Sequence, residues 1–246
     1  MSNEFQTHLP PISEIWVYLS GSPLLALVLT LSAYLLGLTL YERSQRNPLA
    51  NPVLIAVVVV TLSISVLDMP YAKYFEGAQF VHFLLGTATV SLAIPIYKGF
   101  ASLKGRMGVL MLSLMAGGIT SVFTAVGMAR WLGVDESLVR GLVAKSVTAP
   151  IAMGIAERVQ ASPTLTAIFA VSTGILGAVL GRYVLDVLRV TQWWQRGFAL
   201  GVAAHGIGTS RAFSVHPEAG AYASLGMGLH GIVGAVVIPQ AVAWWF

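Results

Sequence analysis

The sequence predicts an all-α polytopic membrane protein made of two inverted four-element repeats with broken or re-entrant helices, and three observations carry that prediction. Charge is scarce: 14 Lys and Arg and 10 Asp and Glu make up 10% of 246 residues, against about 25% in soluble domains. Hydrophobic residues reach 56%, with a mean hydropathy of +0.78. Too little polar side chain is present to cover the chain in water, so its solvent is lipid. The apolar residues also come in long uncharged runs, and part of the chain matches itself at a fixed offset.

A helix rises 1.5 Å per residue and the hydrocarbon core is about 30 Å thick, so about 20 uncharged residues make one crossing. Six runs satisfy this: Ile15–Tyr41, Asn47–Leu67, Gly77–Tyr97, Met107–Ala129, Val159–Gly181 and Ala219–Phe246. The first follows a segment with Glu4, Glu14 and no Lys or Arg, and it is too long for a signal-peptide core, so no cleaved leader is expected. Two further stretches are interrupted. Leu138–Ala156 contains Arg140, Lys145 and Pro150, and Gly197–Ser210 ends at Arg211. Their Gly, Pro, Ser and Thr content is that of backbone leaving helical geometry inside a protein-lined cavity, because lipid-exposed irregular backbone is not tolerated. Gly86, Thr87 and Thr89 ahead of Pro95 place a third break in the Gly77–Tyr97 run.

At an offset of 111, Pro52, Leu54, Ala56 and Val60 fall on Pro163, Leu165, Ala167 and Val171. Gly86 and Ala88 fall on Gly197 and Ala199, and Ser113, Leu114 and Gly117 fall on Ser224, Leu225 and Gly228. The chain is therefore read as a single integral membrane domain, 1–246, with repeat one at 16–131 and repeat two at 135–246. Cytoplasmic loops carry excess Lys and Arg, which assigns that side to Arg43 and Arg46, to Lys98, Lys104 and Arg106, and to Arg182, Arg189 and Arg196. Inverted halves follow if Leu138–Ala156 is a hairpin that enters and leaves on one side.

Inverted repeats whose broken helices meet at the midplane characterise secondary transporters, where helix N-termini and freed amides bind anions. The candidate substrate-binding residues sit at the three breaks: Thr87 and Thr89; Lys145, Ser146 and Thr148; His205, Gly206, Gly208, Thr209 and Arg211. Each has a plainer reading. Lys145 could snorkel to headgroups, hydroxyls and glycines could serve helix packing, and His205 could be a satisfied interior histidine. His82 and His230 read as structural.

Other chemistries lack their residues. Cysteine is absent, which excludes disulfides and thiolate sites. No His pair with Glu offers a zinc site, no phosphate loop occurs, and the scattered basic residues form no nucleic-acid stripe, so neither metal, cofactor nor nucleic acid is expected. A Ser146–His205 hydrolase would lack an acidic third member. No carboxylate pair lies within a span, which argues against an acidic-pair sodium or proton antiporter.

Three stretches resemble the LrgB/CidB family of bacterial membrane proteins. They are Leu85-Gly86-Thr87-Ala88-Thr89, Ala144-Lys145-Ser146-Val147-Thr148-Ala149-Pro150-Ile151-Ala152 and Ala204-His205-Gly206-Ile207-Gly208-Thr209-Ser210-Arg211. The family typically has Pro at position 87, Pro at 144, Thr at 149, Ser at 204 and Ala at 210, so the departures are small neighbours of the charged and breaker residues. The resemblance implies a multi-pass protein of the bacterial inner membrane, and the C-terminus is expected on the cytoplasmic side. It implies one of two activities. The family was named antiholin-like, regulating murein hydrolase release and lysis through oligomerisation. A related plastid protein exchanges glycolate and glycerate, and bacterial relatives are associated with pyruvate. It further implies membrane lipid as a partner, together with a homo-oligomer, a small LrgA-type membrane protein, or both. Polar breaks suit a carrier of small 2-hydroxy or 2-oxo monocarboxylates better than a holin, with Lys145 or Arg211 offsetting the carboxylate and the hydroxyls bonding the second oxygen.

Overall fold

The computed structural model describes residues 23–91, 94, 97 and 105–245, with backbone alone at 82, 85, 86, 88 and 89. Among these residues it is all-helical: α1 Pro23–Arg43, a 3-10 turn Pro48–Ala50, α2 Pro52–Val66, α3 Tyr71–Ser91, α4 Met107–Trp131, α5 Glu136–Leu142, α6 Ala149–Arg158, α7 Pro163–Val187, α8 Trp193–Val215 and α9 Pro217–Trp245. Four of them, α1, α4, α7 and α9, are long and apolar enough to cross a membrane. Starts follow local chemistry. Asn51 accepts from the Val53 and Leu54 amides ahead of α2, Asp135 accepts from Ser137 ahead of α5, and proline occupies the first turn of α2, α6 and α7.

The six expected spans are only partly realised. The second shrinks to the 15 residues of α2, about 22 Å of helix and short of a full crossing. The third begins earlier, at Tyr71, and α3 runs unbroken through Gly86–Thr89 to Ser91. Pro95, where its break was expected, lies outside the described residues, as do residues 1–22, Lys98 and Lys104.

The interrupted stretches are where the chain departs most from simple crossings. In α8, His205 has φ 40° and ψ −129°, backbone that glycine favours and that reverses the helix. Two contacts establish the reversal. Trp193 and His216, at the two ends of α8, stack with ring centroids 4.9 Å apart, whereas 23 residues of straight helix would separate them by about 34 Å. A Cβ on Gly208 would lie 2.6 Å from both the Ala204 Cβ and the Leu200 carbonyl. So α8 is a re-entrant hairpin, with arm one at 193–204, a tip at His205–Gly206 and arm two at 206–215. Each arm is about half a membrane long. Arm one lies on a glycine face of α7, where a Cβ on Gly174, Gly177 or Gly181 would press on His205, Ala204 or Leu200 respectively. On its other side, Gly197 and Gly201 let arm one approach the Ala219 and Ala223 carbonyls of α9.

Leu138–Ala156 also breaks, into α5 and α6, which flank Val143–Thr148. Arg106 at the start of α4 meets Tyr222 and Trp194, and Arg196 reaches Asp186 and the Arg182 carbonyl near the end of α7. The α4 start, the α7 end and the mouth of the α8 hairpin therefore share one face. Tyr41 and Arg46 bond Ser214 on that same face. It collects Arg46, Arg106, Arg182, Arg196 and Arg211. The α4 end and the α7 start consequently share the opposite face, where Trp245 packs on Phe123 and Arg130. The α5–α6 segment between them leaves and returns to that face, as a second hairpin of opposite entry.

The inverted relation expected of the halves is not seen in their last elements. α4 and α9 lie side by side and run in the same direction: Arg106 is beside Tyr222, Gly118 beside His230, and Phe123 beside Trp245. Around the tips, Val126, Val139, Val147, Ala170 and Ile238 form the main buried core.

Candidate functional site

The two tips place Lys145 and His205 at a common depth. The sequence Ala144-Lys145-Ser146-Val147-Thr148 lies outside both helices: Thr148, the N-cap of α6, is extended, with φ −60° and ψ 139°, and Pro150 sits in the first turn that follows. Lys145 is half-buried, and its Nζ donates to the Ser121 Oγ at 2.7 Å and to the Ser146 Oγ at 3.1 Å. The two hydroxyls are themselves 2.7 Å apart. An ammonium has three donors, two of which go to neutral hydroxyls, and the ion pairs among the described residues are Arg130–Glu136, Arg182–Asp186 and Arg196–Asp186. Lys145 thus has a hydrogen and a full charge to offer a ligand.

The space for one is adjacent. A cavity of about 920 Å³ is lined by Lys145, Ser146, Ser121, Thr173, Gly177 and Trp194, among others. It runs from the tip of the α5–α6 hairpin, between α4 and α7 and along arm one, toward the basic face. Most of its wall is apolar, so water competes weakly for the ammonium.

His205 is buried beside Gly174, and its Nε2 faces the Ala170 carbonyl at 2.8 Å. A carbonyl only accepts, so Nε2 donates, and in the neutral ring Nδ1 is the acceptor. His230, likewise buried, donates from Nδ1 to the Val202 carbonyl at 2.9 Å, and a Cβ on Gly118 of α4 would lie 3.3 Å from its Nε2.

The other sequence candidates take different places. Thr148 begins α6 without a side-chain cap bond. Gly208 closes the two arms of the α8 hairpin, and a Cβ added to Gly206 at its tip would meet only the Met227 Sδ, at 3.9 Å. Thr209 turns its hydroxyl back onto the His205 carbonyl at 2.7 Å. Thr87 is exposed on α3 and donates to the Leu84 carbonyl, and α3 packs on α1, so Thr87 is not at the tips. The Thr89 side chain lies outside the described residues. Arg211 and Lys145 line different cavities. Six residues of arm two carry Arg211 about 9 Å toward the mouth, where it bonds the Tyr41 hydroxyl and the Arg46 carbonyl. Ser121 and His230 are the residues that sequence reasoning left out. A lone histidine inside an uncharged run was the available signal for His230; Ser121 had none.

Fold and site define a multi-pass helical membrane protein with two broken elements entering from opposite faces and a cationic, hydroxyl-lined centre. The model of the LrgB-like family matches residues 30–244, and the chain belongs to that family. It is 33% identical over 216 residues to an uncharacterized protein, YwbG, of Bacillus subtilis, covering 88% of this chain and 96% of the relative. YxaC, also described as uncharacterized and from the same organism, is 30% identical, covering 91% and 96%. The holin-like protein CidB of Staphylococcus epidermidis is 26% identical, covering 89% and 95%. No solved structure matches the chain.

Proposed function

We propose that this protein carries small 2-hydroxy or 2-oxo monocarboxylates, of the glycolate, glycerate and pyruvate class, across the bacterial inner membrane by alternating access. The observation that supports this reading best is the Lys145 ammonium, held on two neutral hydroxyls at the wall of a large apolar cavity. One unmatched positive charge suits one carboxylate, and Ser146 and Ser121 are placed for a second oxygen. His230 and His205, the two buried histidines, are candidates for taking up a coupling proton. Helix hairpins entering from opposite faces give each side its own mobile element. On this reading the basic face is cytoplasmic, and α9, starting there, ends outside. That reverses the expected cytoplasmic C-terminus, because Gly197–Ser210 doubles back instead of crossing.

The test is uptake of labelled glycolate or pyruvate in proteoliposomes. Removing one partner of a buried charged contact costs about 3–5 kcal/mol, so Lys145→Ala is expected to lower uptake by about two to three orders of magnitude while the protein still folds. Wild-type rates in that variant contradict the carrier.

The name holin-like carried by the CidB relatives favours a second reading, an antiholin-like regulator acting through oligomerisation or a small LrgA-type partner. Dye release separates the two: a pore leaks unrelated solutes without saturation, whereas a carrier saturates and exchanges.

A further inference from the structure

The arginine that left the midplane belongs to a second cationic feature. A cavity of about 340 Å³ lies between the C-terminal part of α7 and the two arms of the α8 hairpin, lined by Arg182, Arg196, Arg211, Asp186 and Trp193 among others. Three guanidiniums face one carboxylate. Asp186 is 2.6 Å from Arg196 and 3.6 Å from Arg182, and Arg211 is bonded to a phenol and a backbone carbonyl, neither of which carries charge. The cavity therefore holds an excess of two positive charges.

Arginines on a cytoplasmic face ordinarily satisfy the charge rule by reaching outward to headgroups. These three differ in geometry. They come from α7, arm one and arm two and converge on one concavity, and the Arg196 side chain is only 16% exposed. The place is also adjacent: Leu185 and Leu200 line both this cavity and the one that contains Lys145. A forked guanidinium binds a planar carboxylate in two bonds where an ammonium offers a point charge, so arginines at the mouth and a lysine at the centre suit capture followed by a looser hold.

We infer that Arg182, Arg196 and Arg211 form a separate binding site for a small carboxylate on the basic face, occupied before the anion reaches Lys145. The inference rests on the carrier reading for the identity of its ligand. Isothermal titration of purified protein with glycolate tests it without relying on transport. In Lys145→Ala protein, glycolate binding is expected to persist at the mouth and to weaken about tenfold when Arg182→Gln or Arg211→Gln is added. Melting curves of the double variants check that they are folded, and Arg182, exposed on the surface, gives a variant that is not structural. Binding indifferent to both arginines overturns the site. So does a result in which the variants keep glycolate binding but lose retained phosphatidylglycerol, which assigns the arginines to lipid headgroups. Undiminished uptake by Lys145→Ala would instead contradict the carrier, and the titration still scores the mouth site.

Discussion

Single residues set what the centre of this protein can hold. Lys145 keeps its charge unmatched because its neighbours, Ser121 and Ser146, are neutral acceptors; an aspartate there would have spent it. Thr166 is the contrasting case: wholly buried against Gly141, its Oγ1 has no hydrogen-bond partner among the described residues. A buried hydroxyl without a partner costs about 1–3 kcal/mol, so Thr166→Val is expected to hold or raise the melting temperature in detergent, and a lower one shows that the hydroxyl is bonded. Gly174 makes the opposite prediction. An added Cβ would come 2.7 Å from the His205 ring, so Gly174→Ala should cost about 1–3 kcal/mol of stability and reduce uptake, whereas unchanged melting and uptake would mean that the ring moves freely. Lys145 and His205 were legible in the sequence as polar residues in apolar breaks. Ser121 and His230 were not, because their role depends on tertiary neighbours that periodicity does not encode.

At the scale of elements, composition located two of the three expected breaks and missed some lengths. Thr148-Ala149-Pro150 and His205-Gly206 are where helices end or turn, as Gly, Pro and hydroxyl content indicated. A 14-residue apolar stretch reads alike whether it crosses or doubles back; the arms of α8 are distinguished only by the meeting of Trp193 and His216. Hydropathy also overran α2, since Asn51 caps that helix and Pro52 starts it inside the apolar run. The α5–α6 hairpin begins at a similar cap outside the membrane. Asp135 accepts from the Ser137 amide at 2.9 Å and from its hydroxyl at 2.5 Å, which holds its carboxyl below the ordinary carboxylate range. A depressed folded-state value stabilises above the unfolded one, and that stabilisation is lost as pH falls through the folded value. Melting temperature should therefore drop in acid, and Asp135→Asn, which still caps, should lack that part of the drop. Identical acid profiles for the two proteins would remove Asp135 from the account.

Across the whole molecule, the self-match at an offset of 111 does not fix the direction of the halves: α4 and α9, paired by that offset, run parallel rather than inverted. Arg46, Arg106, Arg182, Arg196 and Arg211, far apart in sequence, gather on one face, and Arg130 lies by Trp245 on the other. The proposed function depends on two hairpins that enter from opposite faces and meet between them, and the absence of native cysteine makes that directly measurable. Single cysteines at Trp193, His216, Glu136 and Arg158 can be labelled with an impermeant maleimide from each side of sealed, oriented vesicles. The account expects positions 193 and 216 to label together from the basic side and positions 136 and 158 together from the other. Labelling of 193 and 216 from opposite sides would make α8 a simple crossing and contradict the central arrangement.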